Sequence, residues 1–322
     1  MVSSHSQPHV VPRPPSASLA VALADRARFD TLHRTVPIAF VTFEFDPFAH
    51  VFGDLVVRWG TIALVAVLIA ALVLAGIQAR GAGLQWGDVP FIVVGIVPGA
   101  IVGGRFGYAL LHLDYYARRP DLLLDPSLGG LELGLGVVGG VLTGVYLARL
   151  LGTAAGRWLH VATAPVLLSL GVGKLTLVLT GSGQGVPSDA VWATAYVGPG
   201  PWGSLAPALP SIPSQAFEGI AILLVLVGLT VAVGLGAFGR RDGRLFFVGI
   251  GLWALARAAV STTWRDPIVA AGLQAGGLIA LGIAAGCLAL LVYLTVRRRR
   301  PTSASDAPGE VSWPDPMGRP RF

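Results

Sequence analysis

Charged side chains stand inside stretches that are otherwise apolar. They are Arg105 in GGRFGY, Lys174 in GVGKLTLVLTG, Glu218 in PSQAFEG and Arg257 in LWALARAAVSTTWRDP. An ionisable side chain at membrane depth is costly and is a functional candidate by default. Three cations against one anion leave an excess of positive charge, and a phospholipid headgroup is the obvious anion in a membrane. Arginine binds a phosphate with parallel N–H donors, whereas lysine binds it as a point charge.

Each of these side chains also has a structural explanation. Arg105 and Lys174 can extend toward the membrane interface, and Arg105 can instead bond the carbonyls of a helix end. Glu218 can serve as the partner of an arginine or match a helix N-terminus. Arg257 lies in mid-span between small residues and has the weakest such explanation. Glu132, in GGLELGLG, stands near the start of its span and is expected to be interfacial.

Other chemistries have little support in the sequence. His112 and His160 are isolated, and no Ser-His-Asp order, CxxC or glycine-rich phosphate loop occurs. We therefore expect no metal and no cofactor, and we expect the single cysteine, Cys287, to fill the core of the last span. The pI near 10.1 reflects arginines beside spans, four of them at 297–300, so no nucleic-acid partner is expected.

The composition places the chain in a membrane. Of its 322 residues, 54% are hydrophobic and 12% are charged, and the mean hydropathy is +0.71. Soluble domains carry about 25% charged residues, and disordered chains are poor in apolar residues. Both classes are excluded, as is a disulfide scaffold. The sequence predicts an all-α fold, a polytopic integral membrane helix bundle with about seven spans.

The predicted spans are apolar stretches close to the ~20 residues that cross a bilayer as a helix. They cover 57–78, 90–112, 130–150, 158–180, 215–238, 245–263 and 269–296. The expected units are a flexible tail over 1–50 that becomes ordered near the first span, a seven-helix domain over 51–296, and a basic, disordered tail over 297–322. The long connection over 181–214 is expected to lie at the interface, anchored by Trp192, Tyr196 and Trp202.

Basic residues in the loops predict the orientation. One set of loops, together with the C-terminal end, holds ten arginines, and the other set holds Arg118, Arg119 and Arg265. With seven spans, this asymmetry puts the C-terminus in the cytoplasm and the N-terminus outside.

Glycine is unusually abundant, at 43 residues. The series Gly99–Gly103–Gly107 and Gly136–Gly140–Gly144 place small residues four apart on one helix face. Two explanations stay open: close packing of helices, or close passage of lipid or substrate along a helix.

Several segments, in order over residues 47–295, resemble the bacterial prolipoprotein diacylglyceryl transferases. GGRFGY, from Gly103 to Tyr108, is the family's GGRxGY in full and the most specific match. GKLTLVLTGSGQGVPSD, PSQAFEG and LWALARAAVSTTWRDP resemble the family's GRIGNFxNGExxGxPTD, HPSQLYEG and xYGxxRFxxEFxRxP. The remaining matches are LVVRWGTIALV from Leu55, GGLELGLGVVGG from Gly129, and Ala164-Pro165.

The resemblance implies a seven-helix protein of the bacterial cytoplasmic (inner) membrane. It implies transfer of the diacylglyceryl group of phosphatidylglycerol to the lipobox cysteine of a preprolipoprotein, with release of glycerol phosphate. The implied partners are phosphatidylglycerol, the lipobox segment and membrane lipids. Arg257 and Lys174 are the implied catalytic residues. The implied substrate-binding residues are Arg105, Gly104, Tyr108, Glu218, Gln215 and Ser214.

The chain departs from the family pattern at several polar positions. Family histidines fall on Gly134 and Ile212, and the arginine of GRxGN is Lys174. Other polar family residues are replaced by Leu177, Ser182, Trp253 and Ser261. Since a positioned acid or base contributes ~10²–10⁴-fold, two functions stay open: a divergent transferase, and a catalytically degenerate paralogue that binds anionic phospholipid without transfer. A transporter would explain the spans but not the motifs, and it would predict an internal repeat.

Overall fold

A computed structural model describes residues 40–51, 55–125 and 130–299. Its α-helices are α1 (Trp59–Gly81), α2 (Asp88–Leu111), α3 (Leu113–Arg118), α4 (Leu133–Leu150), α5 (Ala155–Thr176), α6 (Ser214–Gly234), α7 (Arg244–Ser261) and α8 (Ala275–Arg299). Short 3₁₀ helices cover Pro120–Leu124 and Leu177–Thr180. The strands are β1 (Val41–Glu44), β2 (Phe48–His50), β3 (Val56–Arg58), β4 (Thr194–Val197), β5 (Ile268–Ala270) and β6 (Leu273–Gln274).

Seven of these helices, all but α3, are long and apolar enough to cross a membrane, which confirms the predicted polytopic bundle. Most boundaries agree with the sequence to within a few residues. The last span is different, because the predicted 269–296 begins with a β-hairpin and the helix starts only at Ala275. Ala271 and Gly272 have φ of 52° and 75°, and this left-handed pair forms the turn of the hairpin.

Helices α2 and α4 pack closely along their glycine faces. A Cβ on Gly139 would overlap the backbone oxygen of Gly99 and would lie 3.2 Å from the Cα of Gly103. A Cβ on Gly107 would lie 2.8 Å from the Cβ of Glu132. The packing explanation of the glycines is therefore confirmed at this contact, where the helix backbones approach too closely for a side chain.

The main apolar core lies between α5, α6, α7 and α8. Leu167, Ile222 and Trp253 are fully buried at its centre, and Phe246 and Cys287 complete it. The prediction that Cys287 fills the core is confirmed. Fixing these four helices against one another also fixes the positions of the charged residues that they carry.

Strand β1 and the connection over 181–213, which contains β4, form a small cap at one end of the bundle. Strand β1 pairs in parallel with β4, from Val41 opposite Thr194 to Glu44 opposite Val197. Phe43 stacks on Tyr196 with ring centroids 5.1 Å apart. The prediction of Tyr196 as an interfacial anchor is wrong, because this pairing leaves it only 1% exposed.

Other expectations for the loops have different outcomes. Trp202 packs against Tyr196 with centroids 5.1 Å apart, whereas Trp192 is 56% exposed. Residues 40–50, expected to belong to the N-terminal tail, include β1 and β2. The expectations for residues 1–39 and 300–322 fall outside the described residues.

Candidate functional site: a buried ion cluster

Two cations and two carboxylates meet inside the bundle. Arg257 donates from Nη1 to Glu218 Oε1 at 2.8 Å and from Nη2 to Glu132 Oε1 at 3.3 Å. Lys174 Nζ lies 2.8 Å from Oε2 of Glu218. The Lys174 side chain is 18% exposed and the Arg257 side chain 7%, and both carboxylates are more deeply buried. The ion cluster is formally neutral, and Lys174 is its most accessible member.

The ion cluster forms where the ends of three neighbouring helices meet. Lys174 is third from the end of α5, Glu218 is fifth from the start of α6, and Arg257 is fifth from the end of α7. The three helices are consecutive and antiparallel. At 1.5 Å per residue, all three side chains leave the backbone within about 6 Å of the same end of the bundle. The site therefore lies near one end of the bundle rather than at its middle.

Glu132 is the member of the ion cluster that sequence reasoning missed. It caps α4, with Oε1 accepting from the N–H of Gly134 at 2.8 Å and Oε2 from that of Leu135 at 2.7 Å. Its own N–H donates to the carbonyl of Gly104 at 2.8 Å. The expectation of an interfacial residue is wrong, since Glu132 is 5% exposed. A carboxylate directly before an apolar helix, in a chain with excess intramembrane cations, is the signal that points to it.

The surplus of positive charge predicted from the sequence is absent from the ion cluster. Arg105 donates from Nε to the carbonyl of Leu123 at 2.7 Å, and from Nη2 to those of Leu122 and Asp125 at 2.9 Å each. It therefore bonds carbonyls at the end of a 3₁₀ helix, as its structural explanation proposed. With Glu132 counted, the cluster has two cations and two carboxylates.

The remaining predicted site residues contact loops and helix backbone. Ser214 Oγ lies 2.6 Å from the hydroxyl oxygen of Thr263, and Gln215 Nε2 donates to the hydroxyl of Tyr196 at 3.3 Å. Tyr108 stacks on the histidine one turn later, with centroids 4.2 Å apart. The Gln215 contact joins the cap to α6, and the Ser214 contact joins α6 to the residues after α7. A role for these residues in substrate binding stays a prediction.

Both cations keep hydrogen-bond donors available. Arg257 Nε has no partner among the described residues, and the guanidinium lies 4.7 Å from the ring centroid of Trp264. Lys174 forms one ion pair in the described structure, to Glu218, although an ammonium has three donors. Lys174 can therefore donate to an added anion without losing its ion pair, and Arg257 Nε is a further unpaired donor in a buried position.

An apolar groove of about 450 Å³ begins at Glu132 and runs along α4 between α2 and α5. Gly136, Gly140 and Gly144 line it, with aliphatic walls such as Ile96. The groove follows α4 as far as Ala148, and 16 residues at 1.5 Å span about 24 Å, most of the ~30 Å hydrocarbon thickness of a bilayer. Its lining suits an alkyl chain, so the lipid explanation of these glycines stays a prediction.

Among the described residues, no three His, Cys, Asp or Glu side chains lie together as a metal site requires. The fold and the site thus define an integral membrane protein with charged groups at the end of an apolar groove. The family model described as prolipoprotein diacylglyceryl transferase matches residues 47–293. The chain belongs to this transferase family, as its motifs predicted.

Individual relatives agree with the family model. Proteins named phosphatidylglycerol–prolipoprotein diacylglyceryl transferase are similar to this chain in several bacteria. The one from Geobacter sulfurreducens is 32% identical over 72% of this chain and 86% of its own length. The one from Bordetella avium is 31% identical over 79% and 96%, and one from Dehalococcoides mccartyi is 27% identical over 80% and 96%.

Proposed function

We propose that this chain is a phosphatidylglycerol–prolipoprotein diacylglyceryl transferase, which moves a diacylglyceryl group from phosphatidylglycerol to the lipobox cysteine of a preprolipoprotein. One observation carries the proposal: Arg257 and Lys174 share the carboxylate of Glu218 at one end of the bundle, and each has N–H donors that no described residue accepts. Family membership supplies the reaction. The ion cluster supplies the positive charge that the departing phosphate requires.

The phosphate binds between Lys174 and the Nε edge of Arg257. Lys174 is the more exposed cation and meets the headgroup first. Glu218 holds both cations in place, so neither has to be ordered when the lipid arrives. One acyl chain lies in the apolar groove, which Gly136 and Gly140 line.

The transfer is a substitution at carbon. The cysteine sulfur forms a bond to the glycerol carbon of the diacylglyceryl group, and the bond from that carbon to the phosphate oxygen breaks. The electron pair leaves with glycerol phosphate, which carries one more negative charge than the phosphodiester did. Because this charge develops next to Arg257 and Lys174, the two cations stabilise the transition state more than the ground state.

The thiol must lose its proton without the family's histidine, whose position is Gly134. A Cβ at Gly134 would lie 3.1 and 3.2 Å from the two carboxylate oxygens of Glu132. The carboxylate oxygens of Glu132 already accept from two backbone N–H groups and from Arg257. We assign to Glu132 the positioning of Arg257. Nearby cations lower the pKa of the substrate thiol, and the proton passes to water.

The proposed location is the bacterial cytoplasmic membrane, with the N-terminus outside. The ion cluster lies at the end of the bundle opposite Arg80, Arg149 and Arg157. Arginine-rich loops remain in the cytoplasm. The lipobox segment of an exported precursor would therefore meet the ion cluster on the outer side.

A second function has its own support, namely binding of anionic phospholipid without transfer. Gly134 offers no base, and both cations of the ion cluster already have carboxylate partners. A site of this kind would hold a headgroup without activating a thiol.

The test is complementation in a bacterium depleted of its own diacylglyceryl transferase, with labelled lipid followed into a lipobox reporter. The wild-type chain restores growth and labels the reporter. Arg257→Ala lowers labelling by about 100-fold or more, because one transition-state donor contributes ~10²–10³-fold. The matched control is Arg119→Ala, which removes an exposed arginine paired with Asp121, and it leaves labelling unchanged.

Chemical modification of Lys174 distinguishes lipid binding from lipid transfer. Lys174 is the only lysine in the chain. An amine-reactive reagent therefore modifies Lys174 and the N-terminal amine. Phosphatidylglycerol in the detergent protects Lys174 in either function, whereas phosphatidylcholine does not. Protection without reporter labelling would establish the binding protein, and failure of both would refute the phosphate site.

A further inference from the structure

A second cavity lies at the opposite end of the bundle from the ion cluster. Its volume is about 320 Å³, and it is lined by α1, α5, α6, the turn before α7, and the start of α7. His160 is the sixth residue of α5, and Gln78 is the fourth from the end of α1. The start of α5 and the end of α1 both lie on the side of the basic loops, so the cavity is separate from the site of the transfer reaction.

The cavity contains polar side chains that the fold itself does not use. His160 Nδ1 is buried and has no hydrogen-bond partner among the described residues. Gln78 and Arg241 also line the cavity, and neither side chain bonds another described residue. A buried ring nitrogen without a partner is costly, which indicates that something else completes it.

The charges around the cavity favour an anion. Arg241 is exposed at the mouth and brings a planar set of N–H donors. The neighbouring carboxylate, Asp242, does not line the cavity, and Arg244 binds both of its oxygens, at 3.2 Å from the backbone nitrogen and 3.1 Å from Nε. A phosphate can accept from the guanidinium, the imidazole and the Gln78 amide together.

The remaining walls are aliphatic and continue into the bundle. Leu167, Leu226 and Leu229 line the cavity, and Leu167 lies two helical turns farther along α5 into the bundle than His160. A free phosphate would leave this surface uncovered, whereas an alkyl chain would fill it. The cavity thus has a polar end and an apolar interior, which match the headgroup and the alkyl chain of a lipid.

We propose that Arg241, His160 and Gln78 form a second anion site, which holds the phosphate of an anionic phospholipid from the membrane leaflet on the side of the basic loops. The site is distinct from the ion cluster and takes no part in transfer. The lipid bound there ties α1 to α5 and α6.

Native mass spectrometry of the full chain tests this site. The protein is purified from nanodiscs of phosphatidylcholine containing one-fifth phosphatidylglycerol, and retained lipids are counted. Arg241→Ala and His160→Ala each weaken retention of one phosphatidylglycerol by about tenfold, the size of one charge-assisted hydrogen bond. Arg241→Lys keeps most of the retention because it keeps the charge. The matched control, Arg240→Ala, removes the adjacent exposed arginine, which does not line the cavity, and leaves retention unchanged.

Competition with inorganic phosphate distinguishes the source of the anion. Displacement of the lipid by millimolar phosphate would support the anion site and assign it to a soluble phosphate. Equal loss in Arg240→Ala and Arg241→Ala would overturn the proposal, because general surface charge would then explain the retention. Equal retention of phosphatidylcholine would also overturn it, since the apolar walls alone would then hold the lipid.

Discussion

At the scale of single residues, the charge balance of the site depends on Glu132. The sequence identifies Lys174, Glu218 and Arg257 as a group, because charges inside apolar spans are rare. It does not show that Glu132 joins them, since the contact with Arg257 spans 125 positions in sequence. The position of a helix cap relative to a distant helix is a property of packing. The sequence therefore predicted the cations and missed their second counter-ion.

The relation of Glu132 to Gly134 gives a prediction about the missing histidine. Gly134→His alone gives no gain in reporter labelling, because the carboxylate of Glu132 occupies the space next to the new Cβ. Glu132→Ser with Gly134→His supplies the family's histidine and removes the carboxylate beside it, and serine still caps α4. We expect the double variant to label the reporter ~10-fold or more faster than the wild type, as a positioned base should.

The measurement is the initial rate of lipid attachment at equal amounts of membrane-inserted protein. Glu132→Ser alone serves as the control, and it should be slower than the wild type because Arg257 loses a partner. A double variant that is no faster than Glu132→Ser would show that a histidine at this position cannot act as a base here.

At the scale of elements, local patterns predicted the spanning helices but not the strands. Seven apolar stretches gave the helices, since length and hydropathy suffice in a membrane. Strand β1 pairs with β4 about 150 residues away, and both strands have only four residues. Such short strands carry little periodicity, and their pairing depends on the whole cap. The interfacial location expected for Tyr196 failed for this reason.

The close contact between α2 and α4 predicts that added side-chain volume lowers the stability of the protein. Gly139→Ala places a methyl group against the backbone of Gly99, which cannot move without separating the helices. Overpacking of this kind costs about 1–3 kcal/mol. Gly228→Ala in α6 is the matched control, since nothing lies within 4 Å of its added Cβ. Thermal unfolding in detergent should show a lower Tm for Gly139→Ala only. Equal Tm values would mean that the two helices do not pack tightly.

Burial of Tyr196 gives the cap a dependence on alkaline pH. Burial raises the pKa of Tyr196 from 10.0 to about 12, because the phenolate would lose its hydration. The unfolded chain therefore loses this proton first, and stability falls as the pH rises from about 10 to about 12. Below pH 10 the contribution is fully present.

The measurement is Tm at pH 9 and pH 11.5. Tyr196→Phe should lose less Tm over this interval than the wild type, since it has no proton to release. Tyr115→Phe, at an exposed tyrosine, should behave as the wild type does. The same pH loss in all three proteins would place the alkaline sensitivity elsewhere in the chain.

At the scale of the whole molecule, the two ends of the bundle differ in charge. The helix ends and the turn beside the second cavity carry five basic residues, namely Arg80, Arg149, Arg157, Arg240 and Arg241, and the ion cluster lies at the other end. The prediction is that the cap over the ion cluster is outside the cell and the turn before α7 is inside. This arrangement lets an exported acceptor reach Lys174 without crossing the membrane.

Single cysteines locate the two ends. Cys287 is buried and is first replaced by alanine, which leaves a chain without cysteine. Leu205→Cys, at a fully exposed residue of the cap, should react with a membrane-impermeant maleimide in intact spheroplasts. Ala237→Cys, at an exposed residue in the turn before α7, should react only after permeabilisation. The reverse pattern would put the ion cluster in the cytoplasm, where an exported lipobox could not meet it, and the proposed acceptor would then be wrong.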